Sequence, residues 1–185
     1  MLKPTMKAIL ATMALLSSLA YAGPKVAFET TLGTITIELD EEKAPNTVAN
    51  FLKYVNDGSY VGSQFHRVIP GFMAQGGGFD AKMDRLPTYD AIKNEANNGL
   101  RNNTATIAMA RTQDPHSATR QFFINLNDND FLNYDVQPPG YAVFGKVTDG
   151  FSVVQEMATK PTKSQGRMRD IPVEPIIITK TTLLP

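Results

Sequence analysis

The sequence contains no cysteine, no tryptophan and only two histidines in 185 residues. Without cysteine the chain cannot form a disulfide, a thiolate metal site or a thiol nucleophile. Its 18 basic and 18 acidic residues give a formal charge of zero, which argues against non-specific nucleic-acid binding, because that function needs a basic excess. His66 and His116 lack metal-ligand spacing, so we expect neither a metal nor another cofactor.

Two short patterns fail as catalytic motifs. Gly140–Lys146 fits G-x-x-x-x-G-K, but Val147 follows where a phosphate loop needs Ser or Thr to bind Mg²⁺. Asp114, His116 and Ser117 lie so close in one loop that they would rarely reach triad geometry, and no nucleophile elbow is present. The sequence therefore supports neither nucleotide binding nor triad hydrolysis.

The first 22 residues have the features of a secretory signal peptide. Two early lysines precede Ala8–Ala20, an apolar run that is too short to span a bilayer comfortably, and Ala20–Ala22 fits an A-x-A cleavage site. We predict cleavage before Gly23, which leaves one domain at residues 23–185 with 16 basic and 18 acidic residues. We expect a periplasmic protein that is free of the membrane after cleavage. An uncleaved anchor is the alternative, but no second hydrophobic flank follows.

Short strand patterns dominate the remaining chain. Val26–Asp40 alternates apolar and polar residues and predicts a hairpin, whereas Pro45–Asn56 has the apolar spacing of an amphipathic helix. Phe79–Asn103 is polar and predicts a long irregular excursion. We predict further strands at residues 104–110, 121–126, 142–147 and 173–184, and a second helix at residues 150–159. This pattern indicates an antiparallel barrel or a sandwich, and periodicity does not choose between them.

The most informative stretch is FHRVIPGFMAQGGG, residues 65–78. Pro70-Gly71 predicts a turn between two strands. Gly76–Gly78 have no side chains, so that another chain can approach the backbone closely. An arginine, a glutamine and two large apolar side chains lie within nine residues: Arg67, Phe72, Met73 and Gln75. This combination predicts a pocket that binds a carbonyl group through polar side chains and buries a ring.

FHRVIPGFMAQGG resembles the signature of the cyclophilins, the cyclosporin-type peptidyl-prolyl cis-trans isomerases. Three later blocks match the family in the family's order: Ala105–Arg111, Gln121–Ile124 and Val143–Val147. The resemblance covers Val26–Leu184, and its details are most similar to the bacterial periplasmic branch. It implies an all-β fold, an eight-stranded antiparallel barrel with an α-helix closing each end.

The resemblance implies an active site built around Arg67 as the catalytic residue. A hydrogen-bond donor aimed at the proline nitrogen or its neighbouring carbonyl favours the twisted amide, and Arg67 offers five N–H groups with a permanent charge. Gln75 would hold the substrate backbone. The proline pocket would be formed by Phe72, Met73, Phe123 and Leu132, although such side chains are equally typical of a core. The adjoining groove would be lined by Ala110, Arg111 and Gln121.

Three residues depart from the family pattern. Phe131 lies in the block where many eukaryotic cyclophilins have a tryptophan that donates to cyclosporin, so we expect weak cyclosporin binding. Tyr141 stands where the family usually has a pocket histidine, and its ring could keep the stacking and one polar contact. Arg111 stands where asparagine is common, which would place a second positive charge beside the groove.

The function implied by the resemblance is isomerisation of X-Pro bonds in extended polypeptides, assisting the folding of exported proteins. A second hypothesis is a binding module that holds proline-containing segments as a chaperone without needing catalysis. The presence of Arg67 favours the enzyme, because a pure binder has no need of that donor. A third idea, a structural subunit of a larger complex, has no interaction tail or coiled coil to support it, so we expect a monomer.

Overall fold

The computed structural model describes residues 23–185, and the predicted signal peptide at residues 1–22 lies outside the described residues. A 3₁₀ turn spans Asp130–Leu132. The strands are β1 (Lys25–Thr30), β2 (Gly33–Leu39), β3 (Ser63–Ile69), β4 (Met73–Asp80), β5 (Thr106–Met109), β6 (Phe122–Asn125), β7 (Val143–Asp149), β8 (Thr162–Gln165), β9 (Met168–Pro172) and β10 (Ile178–Leu184). The helices are α1 (Pro45–Asn56) and α2 (Phe151–Met157).

Eight of these strands form one antiparallel sheet in the order β10-β1-β2-β7-β5-β6-β4-β3. The two outer strands of this order meet through the segment that leads into β10. Gly62 N–H donates to the carbonyl of Ile178 at 2.8 Å, and Phe65 N–H donates to that of Ile176 at 2.9 Å. The sheet therefore curls until its edges are hydrogen-bonded to each other, which confirms the predicted eight-stranded antiparallel barrel.

The two helices bury their apolar faces against the core of this sheet. In α1 the ring of Phe51 lies 5.8 Å from that of Phe28 and 5.1 Å from that of Phe144. In α2, Val154 and Met157 are fully buried. Aromatic pairs at such distances each stabilise a core by about 0.5–1.5 kcal/mol beyond their area burial. The amphipathic pattern of the sequence thus reports the side of each helix that faces the core.

The N-terminus of α1 is capped from a distance by Glu95, in the long excursion after β4. Its carboxylate oxygens accept the backbone N–H groups of Asn46 and Thr47 at 3.1 and 2.9 Å, and both side chains at 2.7 Å. Burial raises the pKa of Glu95, but these four hydrogen bonds outweigh it and lower the pKa overall. The helix needs this cap because its own N-cap residue, Ala44, has no side-chain oxygen.

A buried arginine fixes the other part of the excursion. Arg120 is 1% exposed and donates to three backbone carbonyls: Nε to Gly77 at 2.5 Å, Nη1 to Pro87 at 2.7 Å and Nη2 to Ser59 at 2.6 Å. Its guanidinium also lies 5.5 Å from the ring centroid of Tyr60. Arg120 therefore ties three separate segments together immediately before β6.

Several element boundaries differ from the sequence prediction. The β8–β9 hairpin was not predicted, because the β8 side chains are all exposed and show no apolar alternation. Strand β5 begins at Thr106 instead of residue 104, since Ala105 has a φ of +66° that interrupts an extended chain. Helix α2 ends at Met157 instead of residue 159. Strand β10 begins at Ile178 instead of residue 173, after Pro175, which has no N–H to donate to a neighbouring strand.

Candidate active site

A pocket of about 140 Å³ opens where β3, β4 and β6 meet the loop before β7. Nine residues line it, and all nine belong to the site predicted from the sequence: Arg67, Phe72, Met73, Gln75, Ala110, Arg111, Phe123, Leu132 and Tyr141. The floor is apolar and the rim carries two guanidinium groups and an amide. Such a cleft can bury a small ring while donating hydrogen bonds to a backbone around it.

The register of the β3–β4 hairpin places Arg67 and Gln75 together. The two residues are cross-strand partners in this antiparallel pair. Directly opposed residues project their side chains to the same face of a sheet. Both side chains are half-buried and both line the pocket. The short Pro70-Gly71 turn, in which Gly71 has a φ of +71°, sets this register.

Gln121 joins the site through Gln75. Gln75 Nε2 donates to Gln121 Oε1 at 2.9 Å, which fixes the orientation of both amides. The lack of a side chain at Gly78 leaves room for Gln121, because a Cβ at Gly78 would lie 2.5 Å from the Cδ of Gln121. The next glycine back, Gly77, has a φ of +83° and leaves room for the rings of Phe122 and Tyr60. The glycines thus admit side chains of the same protein, whereas the sequence pattern predicted the approach of another chain.

The apolar floor is a small cluster separate from the main barrel core. Met73, Phe123 and Leu132 are buried in it together with Ala108 and Val143. Phe72, Ala110 and Tyr141 are packed against this cluster and are half-buried. Met73, Phe123 and Leu132 therefore line the pocket and also belong to a buried apolar cluster. The pocket and core interpretations of these side chains are compatible.

One wall of the pocket is an aromatic stack. The ring of Tyr141 meets that of Phe123 edge-on at 5.8 Å, and the guanidinium of Arg111 lies 4.3 Å from the centroid of Tyr141. Arg111 Nε donates to the carbonyl of Gly140 at 3.0 Å, and Nη1 donates to that of Thr112 at 2.9 Å. These contacts hold a positive charge at a fixed place on the pocket rim.

Comparison with known proteins identifies the family. The family model described as cyclophilin type peptidyl-prolyl cis-trans isomerase/CLD matches residues 25–183. The chain belongs to the cyclophilin family. It is 52% identical over 161 residues to peptidyl-prolyl cis-trans isomerase B of Escherichia coli strain K12, which covers 85% of this chain and 98% of that protein. It is 48% identical over 159 residues to peptidyl-prolyl cis-trans isomerase A of Dickeya dadantii, covering 86% and 84% of the two chains.

A solved cyclophilin structure supports the same assignment. The crystal structure of a Cryptosporidium parvum cyclophilin type peptidyl-prolyl cis-trans isomerase in the presence of the dipeptide Ala-Pro aligns with a TM-score of 0.69 at 26% identity. The alignment covers 87% of this chain and 99% of that chain. The resemblance in the sequence is therefore confirmed, and with it the enzyme class, a cyclophilin-type isomerase for which no cofactor is known.

Two of the predicted site residues in this cyclophilin, Gln121 and Phe131, do not line the pocket. Gln121 reaches it through Gln75, whereas Phe131 lies farther out. It is 52% exposed, and its ring lies 5.6 Å from that of Phe72 at an interplanar angle of 32°. Phe131 therefore extends the apolar surface outward from the pocket without closing it. Its side chain offers no N–H donor, in contrast to an indole.

Buried amides that hold the pocket loop were not predicted from the sequence. Asn129 Nδ2 donates to the carbonyl of Phe72 at 2.9 Å and to Asn125 Oδ1 at 2.7 Å. Asn133 Oδ1 accepts the backbone N–H of Asn102 at 2.7 Å. All four asparagines are at most 3% exposed. Three of them, Asn125, Asn129 and Asn133, lie close together in the sequence, which was a visible signal, because amides that are buried must find partners.

The other candidate features of the sequence bring no chemistry together. A cavity of about 380 Å³ beside β2 is larger than the active-site pocket but contains none of the predicted site residues. Within residues 23–185 no group of three or more His, Cys, Asp or Glu is placed to hold a metal ion. The ring of His116 accepts from the backbone of Asn94, while Ser117 Oγ donates to the carbonyl of Asp114, so these residues form no triad.

The segment Gly140–Lys146 runs into strand β7 instead of the helix that a phosphate loop requires. In the part of the chain that the structure describes, no helix has both the length and the apolar character needed to cross a membrane.

Proposed function

We propose that this cyclophilin catalyses rotation about X-Pro peptide bonds in extended polypeptides, with Arg67 as the catalytic donor, and that it assists the folding of exported proteins in the periplasm. The observation that carries the catalytic part is the register of β3 and β4. It places the half-buried Arg67 beside Gln75 on the rim of a pocket with an apolar floor.

The reaction needs little covalent chemistry. Amide resonance sets a barrier of about 18–20 kcal/mol, and the twisted state loses that resonance and leaves a lone pair on the proline nitrogen. A guanidinium N–H directed at that nitrogen, or at the neighbouring carbonyl, stabilises the twisted state more than the planar one. Each 1.4 kcal/mol of such differential stabilisation gives about tenfold in rate.

The pocket residues supply what this step requires. The apolar side chains of Met73, Phe123 and Leu132 can hold a proline ring still while the preceding carbonyl swings. The paired amides of Gln75 and Gln121 can fix the substrate backbone on one side. No proton needs to be removed, and no group in this arrangement is a nucleophile.

NMR exchange on a peptide with an Ala-Pro bond tests the catalytic proposal. Catalytic amounts of the Gly23–Pro185 protein should broaden the cis and trans signals, and Arg67→Ala should reduce the exchange rate by about 10²–10³-fold, which corresponds to roughly 3–4 kcal/mol. Arg169→Ala, an exposed arginine of β9 that does not line the pocket, is the matched control and should keep full activity.

Each other outcome has a distinct meaning. Full activity in a folded Arg67→Ala protein would show that another group is the donor. Peptide chemical-shift changes without accelerated exchange in the wild-type protein would favour the chaperone hypothesis over the enzyme.

The periplasmic part of the proposal rests on the signal-peptide pattern at residues 1–22 and on the absence of cysteine, which suits an oxidising compartment. Fractionation of cells that express the full chain should place the protein in the periplasm with Gly23 at its N-terminus. An intact N-terminus in the membrane fraction would instead identify an anchor.

We further propose that the protein is a monomer. We also propose that its affinity for cyclosporin is weak, because Phe131 lacks the indole donor. Sedimentation and titration with the drug test these two points.

A further inference from the structure

Arg111 holds a positive charge at the pocket rim that no carboxylate neutralises. Within residues 23–185 the ion pairs involve only Arg101, Lys160 and Lys180 as cations. The residues that line the pocket include two arginines and no Asp or Glu. The pocket is therefore locally positive, although the chain from Gly23 onward has more acidic than basic residues.

The guanidinium of Arg111 is also fixed in position, and some of its N–H groups have no partner within residues 23–185. Its bonds to the carbonyls of Gly140 and Thr112 use two of its five N–H groups, and its stacking on Tyr141 fixes its plane. Three N–H groups remain for a ligand. A cation that is already held in place loses little conformational entropy when it binds, so its attraction for an anion is realised more fully.

A groove leads away from the pocket past Arg111 and carries more positive charge. Arg111 is shared with a small adjoining cleft that is also lined by Lys93, Asn94 and Pro115. These last three residues continue into an open groove of about 190 Å³ that reaches His116 and has no acidic residue in its lining. An extended peptide that enters the proline pocket can thus follow a surface with lysine and arginine side chains along its path.

The acidic residues nearest in sequence are engaged elsewhere. Asp114 Oδ1 accepts the backbone N–H of His116 at 2.8 Å within its own turn. The carboxylate of Glu95 caps the N-terminus of α1 through Asn46 and Thr47. Neither of them forms an ion pair with Arg111 or Lys93 in the part of the chain that the structure describes.

We propose that Arg111 is a specificity-determining residue that makes this isomerase prefer proline segments with an Asp or Glu side chain near the proline, with Lys93 adding to the preference farther along the groove. The proposal rests on the proposed function, since it concerns substrates of the same pocket. It predicts a ratio of rates for charged and neutral peptides, which is separate from the absolute rate.

The test uses pairs of peptides around one Ala-Pro bond, in which Glu or Gln stands at each of the three positions before and after that dipeptide. At low ionic strength the wild-type protein should give kcat/KM values that are about five- to tenfold higher for Glu than for Gln at one or more positions. Because the attraction is electrostatic, about 0.5 M salt should reduce this ratio toward one. Arg111→Gln should remove most of the preference at low salt, and Arg111→Lys should keep part of it. Lys163→Gln, at an exposed residue of β8 that lines neither the pocket nor the groove, should leave it unchanged.

A wild-type protein without a Glu preference at any position would overturn the proposal. So would an Arg111→Gln variant that slows Glu and Gln peptides equally, because that result would assign Arg111 a purely structural role. If no peptide is isomerised at all, the proposed function fails, but the dissociation constants of the same peptide pairs, measured by NMR titration, still decide whether Arg111 selects carboxylates.

Discussion

Gly78 lies directly against the side chain of Gln121. A Cβ at residue 78 would lie 2.5 Å from both Cγ and Cδ of Gln121 and 2.7 Å from its Nε2. The same glutamine accepts the 2.9 Å hydrogen bond from Gln75 at the pocket rim. The missing side chain at Gly78 is therefore part of the reason why the two amides can meet.

We predict that Gly78→Ala raises KM for an Ala-Pro peptide by about three- to tenfold, because the hydrogen bond between Gln75 and Gln121 that orients both amides is lost. The methyl group would push the flexible Gln121 side chain away from Gln75, while the backbone of residue 78 needs no unusual φ. Gln121→Ala should have a similar effect, because it removes the amide directly. Steady-state kinetics of the two variants provide the measurement.

The double variant Gly78→Ala/Gln121→Ala is the control for this mechanism. Once the glutamine is truncated, the methyl group at residue 78 has nothing to displace, so the double variant should match Gln121→Ala alone. Additive losses would mean that Gly78 acts on the site by another route.

The arrangement of the candidate catalytic motif was predictable because the motif is local. Arg67, Phe72, Met73 and Gln75 lie on one hairpin, so the turn and the alternation of the strands determine their relative positions. The all-β barrel followed from the number of short strands together with the family resemblance. Periodicity works in these cases because it reports which face of a regular element is buried.

The parts that escaped prediction are long-range polar contacts. Glu95 reaches Thr47 across 48 positions, and Arg120 reaches Ser59 across 61. No periodic pattern marks which distant backbone atom a carboxylate or guanidinium will bind. The β8–β9 hairpin was missed for a related reason, since β8 buries no side chain and β9 fully buries only Ile171 and Pro172 at its end, which create no alternating pattern.

Arg120→Met should reduce the free energy of unfolding by about 3 kcal/mol. The variant would leave the buried carbonyl of Gly77 and the partly buried carbonyls of Pro87 and Ser59 without their donors. Each such loss costs up to about 1–3 kcal/mol, offset by relief from burying the guanidinium. Urea denaturation measures the change. Arg167→Met, an exposed arginine in the β8–β9 turn, should change the stability by less than about 0.5 kcal/mol.

An Arg120→Met protein as stable as the wild type would show that the cost of burying this charge cancels its hydrogen bonds, as happens in some buried ion pairs. Arg120→Lys separates the two contributions. It keeps a charge but has three donors at one atom, which cannot reach three carbonyls in different directions, so we expect an intermediate stability.

Removal of the Glu95 carboxylate should destabilise α1. We expect Glu95→Ala to lose about 2 kcal/mol and Glu95→Gln about half as much, because Gln keeps one acceptor oxygen but loses the charge beside the helix N-terminus. The pKa of Glu95 is lowered in the folded protein, so its contribution is present above the ordinary pKa and disappears as the pH falls through the folded pKa.

The difference between wild type and Glu95→Gln should therefore be largest near neutral pH and shrink as the pH falls below 4.5. Urea midpoints at several pH values measure it, and Glu41→Gln, at an exposed residue before α1, is the matched control. A constant difference across this range would contradict the role of the ionised carboxylate.

His66 should make the protein less stable on mild acidification. It is 2% exposed, its Nδ1 has no hydrogen-bond partner within residues 23–185, and its ring lies 4.6 Å from Phe79. Burial lowers the pKa of His66 to about 4 from its ordinary value of 6.5, and the positive charges of Arg67 and Arg85 act in the same direction. Below pH 6.5 the unfolded chain therefore binds a proton that the folded protein does not. Stability is complete above that value and declines as the pH falls toward 4.

From these two pKa values, lowering the pH from 7.5 to 5 should cost about 2 kcal/mol of unfolding free energy through His66 alone. This range lies above the pKa of Glu95, so the two effects are separable. His66→Phe, which keeps a ring against Phe79, should lose most of this pH dependence, whereas His116→Gln at an exposed site should retain it. Equal slopes in His66→Phe and the wild type would mean that His66 takes up its proton as readily in the folded protein as in the unfolded chain.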